Sequence, residues 1–354
     1  MKHHVVVLCG GRSAEHDISL LSASSVVDHL DKSKYHITVV GIQKDGSTYS
    51  SDQISDKLKL RSVEDVQFSF GQNWISLIAN LDLPADIVFP VLHGPFGEDG
   101  KVQGVLEVLN IAYVGSDVWG SAVGMNKVFS KEILHWSGLP TLPWTSFSRS
   151  QWKDDSSSLL EKIESRADYP IFVKPANLGS SIGISKSVHT KELSSHIEAA
   201  FQYDDHVLCE QGIEAREIEL AVVGNDNPEV SVPGEIIPSR EFYNYEAKYI
   251  DQESELLIPA LLSHDQVQKL QHLALAVFKT LRLGGMARID FLLNKSTEEI
   301  WINEVNTIPG FTRISMYPRL WEASGISYSI LLDKLIQLGL ENYHLKQRFL
   351  IEEY

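Results

Sequence analysis

Two short segments in the last third of the chain carry acidic, basic and amide side chains two residues apart. MARIDFLL contains Arg288 and Asp290, and EIWINEVN contains Glu304 and Asn306. Alternate residues of a β-strand lie on one face of a sheet, so two neighbouring strands could present all four side chains to one site. Carboxylate and amide oxygens are hard ligands that suit Mg²⁺. The pattern predicts a magnesium site; a polar, solvent-facing side of the strands is the alternative.

A loop rich in glycine and serine follows a predicted strand near the middle of the chain. In VKPANLGSSIGISK, Lys174 stands at the strand end, and Gly179, Ser180, Ser181 and Gly183 follow before the next predicted strand. Glycines let backbone N–H groups approach an anion closely, and serine hydroxyls add donors. This is typical of a loop that covers a phosphate, although the spacing differs from the common P-loop GxxxxGK[ST]. Taken alone, the segment is better explained by a hairpin turn.

Two further groups of candidate residues follow predicted strands nearer the amino terminus. Glu15 lies at a strand-to-helix turn in LCGGRSAEHDIS, where it could bind a substrate ammonium group. For Glu15 alone, capping or solvent exposure is the simpler reading, and Asp17 or Ser19 could cap the helix. HGPFGEDGKVQG ends the strand ADIVFPVL and offers His93 and Glu98, at the edge where open α/β sheets bind ligands. A lone histidine is usually structural, and the dinucleotide spacing GxGxxG is absent from the first turn.

The elements that must position these residues alternate in the first part of the chain. Apolar β-branched runs such as HHVVVL and YHITVVGI alternate with amphipathic stretches, which predicts a parallel α/β layer. A helix from about Asn126, ended by Gly138, marks a domain boundary. Residues 45–80 have weak periodicity and are predicted to be an insertion of uncertain structure, and 148–158 a polar linker or loop.

The remaining two thirds of the chain combine short strands with helices. Strands are predicted at YPIFVKP, HVLCEQ, REIELAVVG, MARIDFLL and EIWINEVN, and helices at KELSSHIEAAF and QVQKLQHLALAVFKTL. A length of 354 residues allows two or three domains.

Charge and cysteine usage exclude several classes of function. A formal net charge of −16 argues against a nucleic-acid partner, because phosphate backbones repel acidic surfaces. Cys9 and Cys209 are too few for a disulfide framework or a zinc cluster, and we expect buried thiols in a reducing compartment. The amino-terminal apolar run is too short for a signal peptide or a membrane span. A cytoplasmic protein without a membrane partner is therefore expected.

Seven motifs occur in one order along the chain: GGRSAEHDIS, HGPFGEDGKVQG, MNK, VKPANLGSSIGIS, YNYEAKY, ARIDF and NEVNTIPGFTRIS. Together they closely resemble D-alanine:D-alanine ligases of the ATP-grasp superfamily, from about residue 4 to residue 340. The resemblance implies an α/β, three-domain ATP-grasp architecture with an amino-terminal parallel α/β domain. We place the amino-terminal substrate domain at 1–125, the central subdomain at 126–215 and the carboxyl-terminal subdomain with the metal site at 216–354.

The resemblance implies ligation of two D-alanines to D-alanyl-D-alanine, for peptidoglycan precursors, through an acyl phosphate. ATP would lie between the central and carboxyl-terminal domains with two Mg²⁺ or Mn²⁺ ions, in a homodimer. The implied nucleotide and metal contacts are Lys127, Lys174, Ser181 and Lys248 for the phosphates and their covering loop, Glu210 near adenine, Glu217 on the ribose, and Asp290, Glu304 and Asn306 on the metal.

The implied substrate contacts complete the predicted site. They are Glu15 for the ammonium of the first D-alanine with His93 and Glu98 nearby, Arg288 and the N–H of Gly310 for the oxyanion, Ser315 with Met316 for the second carboxylate, and Ser180 with Tyr249 linking Glu15 to the closing loop. Met316 replaces the leucine of many relatives, which does not threaten the reaction.

Three other readings remain open at this point. The nearest is a ligase that makes D-alanyl-D-lactate or D-alanyl-D-serine, and Tyr249 in EAKY weighs against the lactate version. A nicotinamide dehydrogenase could share the opening α/β layer but lacks the glycine fingerprint. A non-catalytic nucleotide-binding module could share the Gly/Ser loop, but it would not need the four polar residues of the two strands.

Overall fold

The structure is a computed structural model that describes residues 2–71, 73–81, 83–237 and 255–348. The chain begins with a parallel sheet whose strands are β1 (His3–Gly10), β2 (Tyr35–Ile42), β3 (Val66–Phe68), β4 (Ile87–Val91) and β5 (Ala112–Tyr113). The strand order is β3-β2-β1-β4-β5. Its helices are α1 (His16–His29), α2 (Ser51–Leu58), α3 (Trp74–Ala79), α4 (Lys101–Val108) and α5 (Val118–Met125). The predicted parallel α/β layer is confirmed.

The central strands of this sheet are buried on both faces. In β1 every residue after His3 is buried, which is typical of a parallel strand covered by helices on both sides. Residues 45–80, whose structure the sequence left uncertain, form α2, β3 and α3, and β3 pairs with β2 at the sheet edge. The weak periodicity of this segment agrees with the short, half-buried strand that it supplies.

A second, antiparallel sheet has the strands β6 (Trp144–Ser148), β7 (Ile171–Pro175), β8 (Ser185–Ser187) and β9 (His206–Gln211), in the order β6-β9-β7-β8. Its helices are α6 (Lys127–Trp136), α7 (Arg149–Asp154), α8 (Ser156–Glu164) and α9 (Thr190–Ala200).

The predicted linker at 148–158 is wrong, because α7 and the start of α8 occupy it. Its polar residues are helix caps: the Ser148 hydroxyl accepts from the N–H of Gln151, and Asp155 accepts from Ser158. Trp152, the single large apolar residue of the segment, is buried in the core of this sheet.

The third sheet is also antiparallel. Its strands are β10 (Ala215–Gly224), β11 (Glu229–Val230), β12 (Gly234–Ile237), β13 (Glu255–Leu257), β14 (Gly285–Asn294) and β15 (Ile300–Asn306). The main order is β13-β12-β10-β14-β15, with β11 on β10. Helix α10 (His264–Thr280) covers this sheet through Leu270, Ala274 and Val277, and thus confirms the long helix predicted before β14.

The last two helices return to the first sheet. Helices α11 (Met316–Ala323) and α12 (Tyr328–Gln347) share one hydrophobic core with β1, β2 and β4, in which Leu331 and Leu335 pack with Val5, Val7 and Phe89. The amino-terminal layer and the helices α11 and α12 are therefore one packed unit, which also includes Ile308 and Phe311 of the loop after β15. The domain limits at 125 and 215 stay predictions.

Two simpler expectations can be compared directly with the structure. Cys9 and Cys209 are both fully buried, as predicted, and burial raises the pKa of the Cys9 thiol to about 12. Across residues 2–71, 73–81, 83–237 and 255–348, we find no helix with the length and apolarity to cross a membrane.

Candidate active site

The four polar residues that the sequence singled out face each other across two strands. In the β14/β15 register, Arg288 is opposite Asn306 and Asp290 is opposite Glu304, with a bulge immediately after Asp290. Arg288 donates two hydrogen bonds to Asp290, from Nε to Oδ1 at 2.8 Å and from Nη2 to Oδ2 at 2.7 Å. The Asn306 amide donates to the same carboxylate at 3.0 Å. The solvent-facing alternative is wrong, because Arg288 and Asp290 are buried.

A fifth polar residue that the sequence reasoning missed completes this network. Glu219 of β10 is paired with Asp290 in the sheet, and its Oε2 lies 2.9 Å from Nε of Arg288. Burial alone would lower the pKa of Arg288, but Asp290 and Glu219 raise it well above its ordinary value. Glu219 is two residues after Glu217, on the same face of the strand, so the period-two argument used for β14 would have found it.

The residues fit a divalent cation by their chemistry. Asp290, Glu304 and Asn306 offer two carboxylates and one amide oxygen from adjacent strands, beside a lysine-lined cleft. Mg²⁺ prefers such a small oxygen set, completed by water and phosphate oxygens. The described part of the chain contains no cluster of three or more His, Cys, Asp or Glu side chains with metal-binding geometry.

Two lysines, the buried Lys131 and the partly buried Lys174, face one carboxylate on the other side of the cleft. Glu210 of β9 is 2% exposed and pairs with Lys174 of β7 at 2.7 Å and with Lys131 of α6. Burial raises the pKa of Glu210, and the two lysines outweigh that effect and lower it. Burial lowers the pKa of Lys131, which is 3% exposed. Lys131 was also missed, although it lies one helical turn after Lys127 on a predicted helix.

Lys127 connects this cluster to the paired strands. It is the first residue of α6, its Nζ lies 3.7 Å from Oε2 of Glu304, and it donates to the carbonyl of Leu178 at 2.5 Å. It therefore links the loop after β7 to β15. Lys174, Ser181, Glu210, Glu217, Asp290 and Glu304 line the same cleft of about 1040 Å³ between the second and third sheets.

Glu15 is enclosed by two loops at the start of α1. It is buried, it accepts a hydrogen bond from the Ser180 hydroxyl, and a Cβ on Gly94 would lie only 2.6 Å from its Oε2. Ser180 and Ser181 adopt positive φ angles of 53° and 56°, which turn the Gly/Ser loop toward Glu15. The segment joins β7 to β8, which pair antiparallel, so it is the loop of a hairpin, as the simpler reading has it; the same loop also folds over the cavity beside Glu15.

The capping alternatives for this turn are wrong. Glu15 occupies the N-cap position of α1, but its side chain makes no capping hydrogen bond. The Ser19 hydroxyl accepts from the N–H of Gly10 at 2.7 Å and donates to the carbonyl of Val91, which joins α1 to β1 and β4. Asp17 points outward, 3.8 Å from Lys44.

His93 and Glu98 lie together behind Glu15. Burial and the nearby charge of Glu15 raise the pKa of Glu98 to about 8, although Glu98 accepts hydrogen bonds from the N–H groups of Gly94 and Ile308. The Nδ1 atom of His93 lies 4.0 Å from Oε1 of Glu98 and 3.0 Å from the carbonyl oxygen of Ile308. Both predicted residues are therefore buried and adjoin the loop after β15.

Gly310 and Ser315 lie in that same loop, just before α11. A Cβ on Gly310 would lie 2.8 Å from the Ser315 hydroxyl, which accepts from the N–H of Thr312 at 3.0 Å. Met316 is the first residue of α11, and its side chain is buried against Gly234. Only its backbone N–H, at a helix amino terminus, could contact a carboxylate.

Two cavities bring most of the predicted residues together. The smaller is lined by Glu15, His93, Glu98, Ser180, Arg288, Asn306 and Gly310, and it adjoins the larger cleft at Lys127, Asn303 and Glu304, which line both. Lys248 and Tyr249 lie outside the described residues, so their predicted roles stay predictions.

Comparison with known proteins agrees with this arrangement. A parallel α/β layer, followed by two antiparallel sheets on either side of a lysine-lined cleft with paired carboxylates, defines an ATP-grasp enzyme. Sequence models described as the D-ala D-ala ligase N-terminus and C-terminus match residues 4–116 and 133–337. The chain belongs to the D-alanine–D-alanine ligase family, which confirms the predicted resemblance.

Individual relatives span nearly the whole chain. A D-alanine–D-alanine ligase of Thermoanaerobacter sp. (strain X514) is 47% identical over 364 residues, covering 98% of this chain and 99% of that protein. The D-alanine–D-alanine ligase of Heliobacterium modesticaldum is 44% identical over 361 residues, covering 98% of this chain and 97% of that protein.

Solved structures agree at the level of the fold. The D-alanine–D-alanine ligase of Coxiella burnetii has a TM-score of 0.83 at 37% identity, covering 98% of this chain and 96% of that one. The VanG D-Ala:D-Ser ligase of Enterococcus faecalis has a TM-score of 0.82 at 34% identity, covering 96% of this chain and 100% of that one.

Proposed function

We propose that this protein ligates two molecules of D-alanine to D-alanyl-D-alanine at the expense of ATP, for peptidoglycan precursors in the cytoplasm. The observation that carries the proposal is the junction of the two cavities at Lys127 and Glu304. A carboxylate held in the smaller cavity would meet the terminal phosphate of a nucleotide in the cleft. The named activity of the relatives, at 44–47% identity, supports this substrate pair.

In the first step, Glu15 would hold the ammonium group of the first D-alanine, with the Ser180 hydroxyl fixing the Glu15 carboxylate. The substrate carboxylate then points toward Lys127 and Arg288. One of its oxygens attacks the γ-phosphorus, the bond to the β-phosphate oxygen breaks, and ADP leaves. Lys127 and Lys174 offset the repulsion between the two anions that must meet.

Asp290, Glu304 and Asn306 would hold Mg²⁺ or Mn²⁺, expected as two ions, and the bound metal neutralises charge on the phosphates during transfer. In this structure Arg288 and Asn306 donate hydrogen bonds to Asp290, and such contacts orient a carboxylate that binds a metal. Glu217 would bind the ribose, Glu210 would lie near adenine, and Ser181, with Lys248 of the covering loop, would complete the phosphate contacts.

In the second step, the amine of a second D-alanine attacks the acyl carbon, and phosphate leaves with the oxygen that bound it while the amine loses a proton. Arg288 and the N–H of Gly310 would stabilise the tetrahedral oxyanion. Ser315 and the backbone N–H of Met316 would bind the carboxylate of the second D-alanine at the start of α11. Tyr249, with Ser180 and Glu15, would link this site to the loop that excludes water.

A second candidate is ligation of D-alanine to D-serine, because the VanG D-Ala:D-Ser ligase shares the fold at a TM-score of 0.82. D-lactate is the third acceptor to compare. Equal concentrations of D-alanine, D-serine and D-lactate at neutral pH distinguish the three by product mass. We expect D-alanyl-D-alanine to dominate, and a dominant D-alanyl-D-lactate or D-alanyl-D-serine product would reassign the second substrate.

The direct test of the proposed function is phosphate release from ATP and Mg²⁺ with D-alanine, L-alanine or no amino acid. Release with D-alanine alone, together with the dipeptide, is expected. Release with another amine or acid would keep the chemistry and change the substrate. An absence of ADP in every mixture would favour a nucleotide-binding module instead.

The expected assembly is a homodimer, on the family resemblance. Light scattering coupled to gel filtration would measure its mass, and a mass near 39.7 kDa would show a monomer instead.

A further inference from the structure

The loop after β15 contains a short turn whose backbone is hydrogen-bonded to side chains at both ends. We call Ile308, Pro309, Gly310 and Phe311 the oxyanion turn. At the first end, the N–H of Ile308 donates to Glu98, and the Ile308 carbonyl accepts from Nδ1 of His93 at 3.0 Å. The amino-terminal α/β layer supplies both of these partners.

The second end of the turn is the backbone of Phe311. Its N–H donates to the hydroxyl of Ser22 in α1 at 3.2 Å, and its carbonyl accepts from the hydroxyl of Tyr328 in α12 at 2.5 Å. Its ring is fully buried against Phe89 and Tyr317, with ring centroids 5.9 and 5.5 Å away. The backbone groups of Ile308 and Phe311 are thus held by side chains from the amino-terminal layer and from α12.

The hydrogen-bond network assigns one tautomer to His93. A carbonyl oxygen can only accept, so Nδ1 of His93 carries the proton that reaches Ile308. In the neutral ring, Nε2 then accepts from the Ser22 hydroxyl, 2.9 Å away, while the Ser22 oxygen accepts from Phe311. Ser22 therefore closes a continuous chain from one end of the turn to the other through His93.

This anchoring determines the direction of a single backbone donor. Pro309 and Gly310 lie between Ile308 and Phe311. Proline has no N–H, so the N–H of Gly310 is the backbone donor that the interior of the turn can offer. Glu15 is the N-cap residue of α1, and Ser22 lies seven residues later, two turns into that helix. One rigid helix thus relates the predicted ammonium site to the predicted oxyanion donor.

We propose that Ser22 and Tyr328 are positioning residues for the oxyanion turn: by holding the N–H and the carbonyl of Phe311 in place, they aim the N–H of Gly310 at the tetrahedral oxyanion. The inference rests on the proposed ligase function. A donor contributes to catalysis when it is held in place before charge develops, because no reorganisation is then needed in the transition state. Neither Ser22 nor Tyr328 is among the residues that line the two cavities, so both act through Phe311.

The test uses two single substitutions in the full-length enzyme, Ser22→Ala and Tyr328→Phe. Each should lower kcat by roughly tenfold or more, toward the range seen when an oxyanion donor is lost, and should leave the KM for ATP unchanged. A dipeptide phosphinate, whose tetrahedral phosphorus copies the intermediate, should lose affinity in step with kcat/KM, while D-alanine should bind nearly as before.

Matched controls remove the same groups elsewhere. Ser25→Ala deletes a buried hydroxyl from α1, and Tyr317→Phe deletes a buried phenol hydroxyl that bonds the carbonyl of Val222 at 3.0 Å. Both controls should keep wild-type kcat and phosphinate affinity. Tyr328→Phe preserves side-chain volume, so it remains informative if Ser22→Ala does not fold.

Two results would overturn the inference while the ligase function stands. One is unchanged kcat and phosphinate affinity in Tyr328→Phe and in folded Ser22→Ala, with active wild-type enzyme. The other is an equal loss in the controls, which would mark a general packing effect. A wild-type enzyme that makes no dipeptide would instead reject the proposed function and this inference with it.

Discussion

The substrate cavity and the nucleotide cleft meet at Lys127 and Glu304 but are built in different ways. Around Glu15 and His93, backbone groups and short side chains hold each functional group through hydrogen bonds. In the cleft, buried charges pair with each other, as Glu210 does with Lys131 and Lys174. The cavity is therefore preorganised for its ligand, whereas the ligand of the cleft must replace ion pairs that the protein already makes.

The largest expected effect is at the boundary of the two regions. Glu304→Gln keeps the size of the side chain but removes a charge from the predicted metal site, and we expect turnover to fall by roughly 100-fold or more with the fold intact. Steady-state phosphate release measures the turnover, and far-UV circular dichroism measures whether the fold is intact. Activity near that of the wild type would remove Glu304 from the metal site.

A change in the cleft should affect stability as well as activity. Glu210→Gln leaves the buried Lys131 and the partly buried Lys174 without their shared carboxylate, and breaking a buried ion pair from one side costs about 3–5 kcal/mol. Urea unfolding should show this loss together with a higher KM for ATP. Unchanged stability would contradict the account of the cleft as a set of mutually dependent charges. Glu198→Gln on α9 is an exposed control.

A change in the cavity should separate binding from turnover. Glu15→Gln keeps the hydrogen bond from Ser180 but loses the charge that faces the substrate ammonium, so the KM for the first D-alanine should rise roughly tenfold or more. The KM for ATP should stay constant. Equal effects on both substrates would show that Glu15 supports the whole site and does not bind the ammonium group.

The smallest effect concerns pH and the stability of the ligand-free enzyme. The pKa of Glu98 is raised from 4.5 to about 8, so the folded state binds a proton more tightly than the unfolded state. The stabilisation is complete below pH 4.5 and is lost as the pH rises through about 8. The difference in melting temperature, Glu98→Gln minus wild type, should therefore increase from pH 5 to pH 8. A constant difference would contradict the raised pKa.

Local periodicity predicted much of the fold and of the predicted metal site. The two-residue spacing in β14 and β15 placed Arg288, Asp290, Glu304 and Asn306 on one face, and the register brings them together. The same rule would have found Glu219, and helical spacing would have found Lys131. These omissions were failures to apply a pattern that was present.

Other features depend on contacts that no local pattern contains. Ser22 meets His93 and Phe311, which are 71 and 289 residues away in sequence, so nothing around Ser22 distinguishes it from Ser25. The error at 148–158 has a different cause. Serine and aspartate favour both loops and helix N-caps, and only burial of Trp152 decides between them.

The central claim is that the carboxylate in the cavity is activated by the nucleotide in the cleft. D-alanine labelled with ¹⁸O in its carboxylate tests this directly, through the mass of the phosphate released with ATP and Mg²⁺. We predict that each phosphate carries a single labelled oxygen, transferred from the first D-alanine when the amine of the second displaces it. Unlabelled phosphate formed together with dipeptide would contradict the account, because the carboxylate would then never have been bonded to phosphorus.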